Sequence, residues 1–218
     1  MRSGTTTSIL IGGLLCGAIG CGKGDKAAAG GGASTTGSGI AVTTGTAMAT
    51  GKPTPPPLPP LTGPVIEVAG FVAPKPAHWI FGDEATDPVA TDLKIRASIP
   101  AGAKWLVPEN ITAAGVSSAN IIVTSADGNF EGQSCASLGA ALGQAMAGAR
   151  LIGTKDMMIA GGDGCEVHLD LPGTGEQRQY FGTTGKKLIV IACTGNETGD
   201  AKLDAACAEI LAGVRVAP

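Results

Sequence analysis

Groups that titrate near neutrality are scarce in this chain: its 218 residues include only two histidines, His78 and His168. One tyrosine, four phenylalanines and two tryptophans bring the aromatic share to just 3%. Acid–base chemistry therefore has few candidate residues. Charged residues make up 15%, with 15 basic against 18 acidic side chains, a formal net charge of -3, and no basic run longer than Lys186-Lys187. A nucleic-acid grip needs clustered cations to displace counterions from phosphates, so no nucleic-acid partner is expected. The apolar stretch Ile9 to Ile19, about eleven residues long, is too short to cross a bilayer of about 30 Å as a helix. There is no Gly-x-Ser-x-Gly elbow, no His-Glu-x-x-His pair and no Cys-x-x-Cys, so an activated serine, a zincin site and a paired-thiol zinc site all lack their usual signals.

What is abundant is glycine and proline, 35 and 14 residues, about twice the ordinary share. The amino terminus reads as an address. Met1-Arg2 gives a positive start, the stretch to Ile19 has the length of a secretion signal, and Ala18-Ile19-Gly20-Cys21-Gly22 follows. Small side chains at Ala18 and Gly20 fit a peptidase cleft, and a thiol comes next. This string resembles the bacterial lipoprotein lipobox. The resemblance implies that residues 1–20 are removed and that Cys21 is acylated as the first mature residue. Cys16 is a competing thiol but follows the bulky Leu15. Acyl chains contribute about 0.8 kcal/mol per buried CH₂, so two or more hold a protein to a membrane stably without spanning it. Gly22 in place of Asp after the acylated cysteine is similar to the usual sorting rule for an outer membrane, where the cell has one.

Residues 21–63 read as a tether. Gly30-Gly31-Gly32, many Ala, Ser and Thr, no aromatic residue and the tract Pro53-Thr54-Pro55-Pro56-Pro57-Leu58-Pro59-Pro60 cannot bury enough apolar surface to offset ordering entropy. A disordered linker is expected, able to hold the domain a few nanometres from the bilayer. Residues 64–218 suffice for one domain with a core, centred on about 91–216.

In that domain Val65 to Phe71 reads as an edge strand. Leu93-Lys94-Ile95-Arg96-Ala97-Ser98-Ile99 alternates as a half-buried strand, and Asn120 to Ser125 is a further strand. Ser134 to Ala149 and Asp200 to Val214 carry apolar positions at steps of three and four, the pattern of amphipathic helices. Between them strands are expected at Arg150 to Lys155, Asp156 to Ala160, Cys165 to Leu171, Gln177 to Gly182 and Lys187 to Thr194, joined by Gly-rich turns. Leu188-Ile189-Val190-Ile191-Ala192 is apolar on both faces and should be a central strand. This order gives an α+β domain with an antiparallel sheet. A strand into Ile99-Pro100-Ala101-Gly102, Trp105, an Ile/Val strand and a helix, then a meander through Gln179-Tyr180-Phe181 and Leu188-Ile189-Val190 closed by a helix ending Glu209-Ile210-Leu211-Ala212-Gly213-Val214, together resemble the PsbP-like domain. That resemblance implies an α/β/α sandwich and a non-enzymatic stabilising or binding role.

With Cys21 committed to lipid, Cys135, Cys165, Cys193 and Cys207 remain, an even set in an oxidising compartment. Each falls on an apolar face by periodicity. Three connectivities are open, and Cys193 to Cys207 with Cys135 to Cys165 is the favoured one. Four unpaired buried thiols are the alternative. Asp127-Gly128-Asn129-Phe130-Glu131-Gly132 opens like a calcium loop, but its twelfth position is Leu138, where a carboxylate is needed. Gly182-Thr183-Thr184-Gly185-Lys186 has the wrong spacing for a phosphate loop and reads as a hairpin turn. His78 beside Trp79 reads as ordinary packing. Glu166, His168 and Asp170 share one strand face, opposite the Cys165 to Leu171 stripe, with Arg178 and Tyr180 on the adjoining strand as cross-hairpin partners. A solvated face is the plain reading. As a ligand patch it would be pH sensitive through His168. No metal, cofactor or catalytic residue is assigned. The first functional reading is a lipid-anchored binding or stabilising module for an envelope protein or small component. The alternative is a cryptic hydrolase or metal-dependent activity on the Glu166, His168 and Asp170 face.

Overall fold

The structure, a computed structural model, describes residues 58–85, 99–109, 119–128, 133–172, 175–195 and 200–218. Cys21, the tether up to residue 57, and all but the last residue of the strand expected at Leu93 to Ile99 lie outside these residues. In chain order the elements are β1 (Val65–Val68), β2 (Phe71–Pro74), β3 (Trp79–Phe81), β4 (Lys104–Pro108), β5 (Asn120–Asp127), α1 (Cys135–Ala145), β6 (Arg150–Ile159), β7 (Gly162–Leu171), β8 (Gly175–Thr184), β9 (Lys187–Gly195), α2 (Ala201–Gly213) and β10 (Arg215–Val216). Seven strands form one antiparallel sheet in the order β3-β4-β5-β9-β8-β7-β6, and β1-β2-β10 form a small second sheet. The domain is α+β, as its sequence pattern implies.

β9 explains the layering. Its residues alternate between two cores, so the sheet must be covered on both sides. Ile189, Ile191 and Cys193 pack with Ile121 and Val123, with Leu203, Ala206, Cys207 and Ile210 of α2, and with Ile66, Phe71 and Ala73 of the small sheet. Leu188 and Val190 face the other way, joining Val167, Leu169, Leu171 and Phe181 under Cys135, Leu138, Leu142 and Met146. Each helix start is capped as its sequence requires. Ser134 Oγ accepts the Ser137 N–H at 3.1 Å, and Asp200 Oδ1 accepts the Lys202 and Leu203 N–H groups at 3.0 and 3.2 Å.

Four expectations need correction. Val65 to Phe71 is not one edge strand: the chain turns at Ala69-Gly70, with Gly70 at φ +86°, and β1 pairs with β2 from Val68↔Phe71 outward. Alternation could not reveal this, because a reversal through a two-residue turn leaves apolar residues at both flanks. Arg150 to Lys155 and Asp156 to Ala160 are one strand, interrupted in register between Leu151 and Gly153 by a bulge that bends it without ending it. His78 is exposed and not packed: it lies at φ +64° with Nδ1 3.3 Å from Glu109 Oε2, while Trp79 beside it is buried. Finally, the chain just ahead of residue 64 touches the domain. Arg215 Nη1 donates to the Pro59 carbonyl at 2.6 Å, and a methyl of Leu61 lies beside Gly213.

One close approach governs the β6–β7 corner. Gly164 and Gly182 stand opposite each other on β7 and β8, and the buried Ile159 side chain lies across them. A Cβ at Gly182 would come within 2.6 Å of Ile159 Cγ2. Gly182→Ala is therefore expected to destabilise by about 1–3 kcal/mol through overpacking, and Ile159→Ala by about 2–5 kcal/mol through a void. Because each change relieves the other, the double variant should lose less than the two separate losses added together. Urea denaturation midpoints of the four proteins check this, and strict additivity would show that the contact is not shared.

Candidate functional site

The site is built where β7 and β8 run side by side beyond the cover of α2. Alternation puts Glu166, His168 and Asp170 on one face of β7, all partly exposed, while Cys165, Val167, Leu169 and Leu171 are buried on the other. Glu176, Arg178 and Tyr180 share that face of β8, with Glu166↔Tyr180, His168↔Arg178 and Asp170↔Glu176 directly opposite across the strands. The residues singled out from sequence thus lie on one patch.

Their partners differ from the simple cross-hairpin pairing. His168 Nε2 meets Glu176 Oε2 at 2.9 Å, two residues along β8 from its directly opposed neighbour Arg178, and the two side chains are only 21% and 22% exposed. Arg178 leaves His168 and reaches α2, donating from Nη1 to Asp204 Oδ1 at 2.7 Å. Asp170 accepts from Arg150 Nη2 on β6 at 3.2 Å in the open. Glu176, Asp204 and Arg150 were not singled out beforehand. The first could have been: it stands two residues before Arg178 and must share its face. Asp204 sits one turn before Cys207 on α2, so its nearness to Arg178 follows only once the helix is placed on the sheet.

Tyr180 is buried, with 6% exposure. Burial raises its phenol above the usual tyrosine range, the Glu166 carboxylate pushes it further up, and the Arg178 charge and hydrogen bond pull it partly back. A small cleft of about 20 Å³ opens beside it, lined by Glu176, Arg178, Tyr180, Asp200, Asp204 and the Cys193 and Cys207 pair, among others. That is space for a water molecule or two. Glu166, His168 and Asp170 are not among its lining residues.

Both disulfides join a helix to the sheet, on opposite faces. Cys135, the first residue of α1, is bonded to Cys165 on β7 with Cα atoms 5.5 Å apart, and Cys207 of α2 is bonded to Cys193 on β9 at 6.6 Å. Bridges closing loops of this size contribute about 3 kcal/mol each in the chain-entropy account.

The other strings behave as turns and caps. Asp127, at the start of the calcium-like string, ends β5 and is ion-paired to Lys187 Nζ at 2.6 Å, which holds its carboxyl below the usual range. Residues 129–132 lie outside the described part. Gly182 to Lys186 runs out of β8 into the turn before β9, and no helix follows. Among the described residues, no three His, Cys, Asp or Glu side chains gather as a metal-binding group, and no helix is long and apolar enough to cross a membrane. Chemically, the patch can exchange hydrogen bonds and ion pairs of both signs, and His168 and Glu176 are joined by a hydrogen bond.

No protein-family model matches the chain, and no curated protein matches it. Among solved structures it is similar to cyanobacterial PsbP (CyanoP) from Synechocystis sp. PCC 6803, with 14% identity and a TM-score of 0.45 over 68% of this chain and 87% of that one. It is also similar to LpqN, involved in cell envelope biogenesis of Mycobacterium tuberculosis, with 11% identity and a TM-score of 0.41 over 68% and 83% of the two chains.

Tyr180 is the sole tyrosine, so phenolate absorbance reports this site alone. Its midpoint should lie above 10.0. Glu166→Gln should lower it, and Arg178→Gln should raise it. Because the folded value is raised, stability linked to this group is complete below a pH of about 10 and is lost as pH climbs through the folded value. A midpoint at or below that of free tyrosine would contradict the assigned environment.

Proposed function

We propose that this chain is a lipid-anchored module of the bacterial cell envelope that binds an envelope protein or a small envelope component through the β7–β8 face. The anchor rests on sequence alone: a positive start, a short apolar stretch and Cys21 behind small residues. Acylation there would hold the domain to a membrane, the outer one where the cell has two. Even-numbered cysteines suit the same oxidising location.

The observation that carries the binding role is the mixed-charge face itself. Glu166, His168, Asp170, Glu176 and Arg178 stand together, half-exposed, on a sheet whose other faces are occupied by helices and apolar side chains. Such a surface suits recognition by several weak polar contacts better than conversion of a substrate. The neighbouring cleft is far smaller than the roughly 300–1,000 Å³ that small-molecule sites enclose, and it bypasses Glu166, His168 and Asp170. This favours binding over the hydrolase reading.

Two measurements test the proposal separately. Mass spectrometry of the amino-terminal peptide from membranes should find Cys21 fatty-acylated at the mature terminus, and an unprocessed, unmodified peptide would remove the anchor. Crosslinking of the full chain in intact envelopes should give a discrete adduct that Glu166→Ala, His168→Ala and Asp170→Ala in combination reduce about tenfold, the loss of roughly 1.4 kcal/mol. An undiminished adduct would move the binding surface elsewhere.

A further inference from the structure

Two links of different kind hold α2 to the sheet at almost the same place. Arg178 on β8 is directly opposite Cys193 on β9, so their side chains rise from the same face about 5 Å apart at Cβ. On α2, Asp204 lies three residues before Cys207, hence on the same helical face. The ion pair Arg178–Asp204 and the disulfide Cys193–Cys207 therefore run side by side between the same two surfaces, and all four residues line one cleft. We infer that Cys193–Cys207 is a redox latch: a thiol reaching this cleft opens it selectively, with Arg178 receiving the thiolate that is expelled.

Exposure does not separate the two bridges, since Cys193 and Cys207 are 4% and 3% exposed and Cys135 and Cys165 are 7% and 1%. Charge does. The cross-strand neighbours of Cys165 are Phe181 and the carboxylate of Asp156, which disfavours a thiolate there. The helix start at Cys135 favours one only through partial charges, whereas Arg178, directly opposite Cys193, brings it a full cation, set against the carboxylates of Glu176, Asp200 and Asp204 that line the same cleft nearer α2 and the strand end. In the first step a thiolate attacks Cys207 Sγ, and the S–S bond breaks with its electron pair passing to Cys193 Sγ. A second thiolate attacks the reductant's sulfur in the mixed disulfide and expels Cys207 as thiolate, with protons supplied by solvent. Two thiols are oxidised to one disulfide, and the bridge takes up two electrons. Once open, the amino-terminal half of α2 is held by the Asp204 ion pair and by Leu203 and Ala206 in the core. Its far end stays in place through Ile210 in the core and through β10 paired to β2.

The test is timed alkylation of the full chain in graded 2-mercaptoethanol under native conditions, with each cysteine read by peptide mass. Cys193 and Cys207 should become alkylated about tenfold faster than Cys135 and Cys165. Equal rates, the reverse order, or all four opening together would overturn the latch. Asp204→Asn and Arg178→Gln both break the ion pair but leave opposite charges behind. Against the Cys135–Cys165 bridge of the same molecule, Asp204→Asn should speed opening and Arg178→Gln should slow it. Acceleration in both would mean that α2 had merely been loosened, and would overturn the part given to Arg178.

Discussion

β9 is apolar on both faces, and that one constraint arranges the rest of the domain. A strand of this kind cannot sit at an edge or under a single layer without leaving large side chains in water. Burying Ile189 and Ile191 requires α2 and the small sheet on one side, and burying Leu188 and Val190 requires α1 on the other. The five-residue run Leu188-Ile189-Val190-Ile191-Ala192 thus determines that the sheet has two covers and that β9 lies in the middle of seven strands.

Those covers are thin. Only seven aromatic side chains occur in the whole chain, and both helices bury small residues such as Ala206 and Gly139 beside their leucines. A helix that presents so little volume gains modest burial energy. Each helix here is also bonded covalently to the strand below it, α1 at its first residue and α2 near its centre. The arrangement resembles the economy of small secreted domains, where cross-links make up for a limited core. At the edge of α2, where it meets β8 through the Arg178–Asp204 pair and leaves β7 uncovered, the sheet turns polar, and the candidate site occupies that margin.

Much of this was legible in the sequence because it depends on period. Helices at Cys135–Ala145 and Ala201–Gly213, the meander through β7, β8 and β9, and the shared face of Glu166, His168 and Asp170 all follow from repeats of two or of three to four residues. What escaped depends on features that periodicity does not carry. The β1–β2 reversal rests on the φ of Gly70, the continuity of β6 on a bulge after Leu151, and the strands β3 and β4 on pairing between segments more than twenty residues apart. In the site, the true partners of His168 and Arg178 are Glu176 and Asp204. The first is a diagonal neighbour and the second belongs to a helix, so both choices were made by side-chain reach after the backbone was in place.

The hydrogen bond from Arg215 to the carbonyl of Pro59 has a mechanical consequence. It brings the incoming chain and the final strand to one point, with α2 directly behind. Tension applied at residue 59 would meet Arg215, two residues beyond the end of α2, before it reached the β1–β2 pairing.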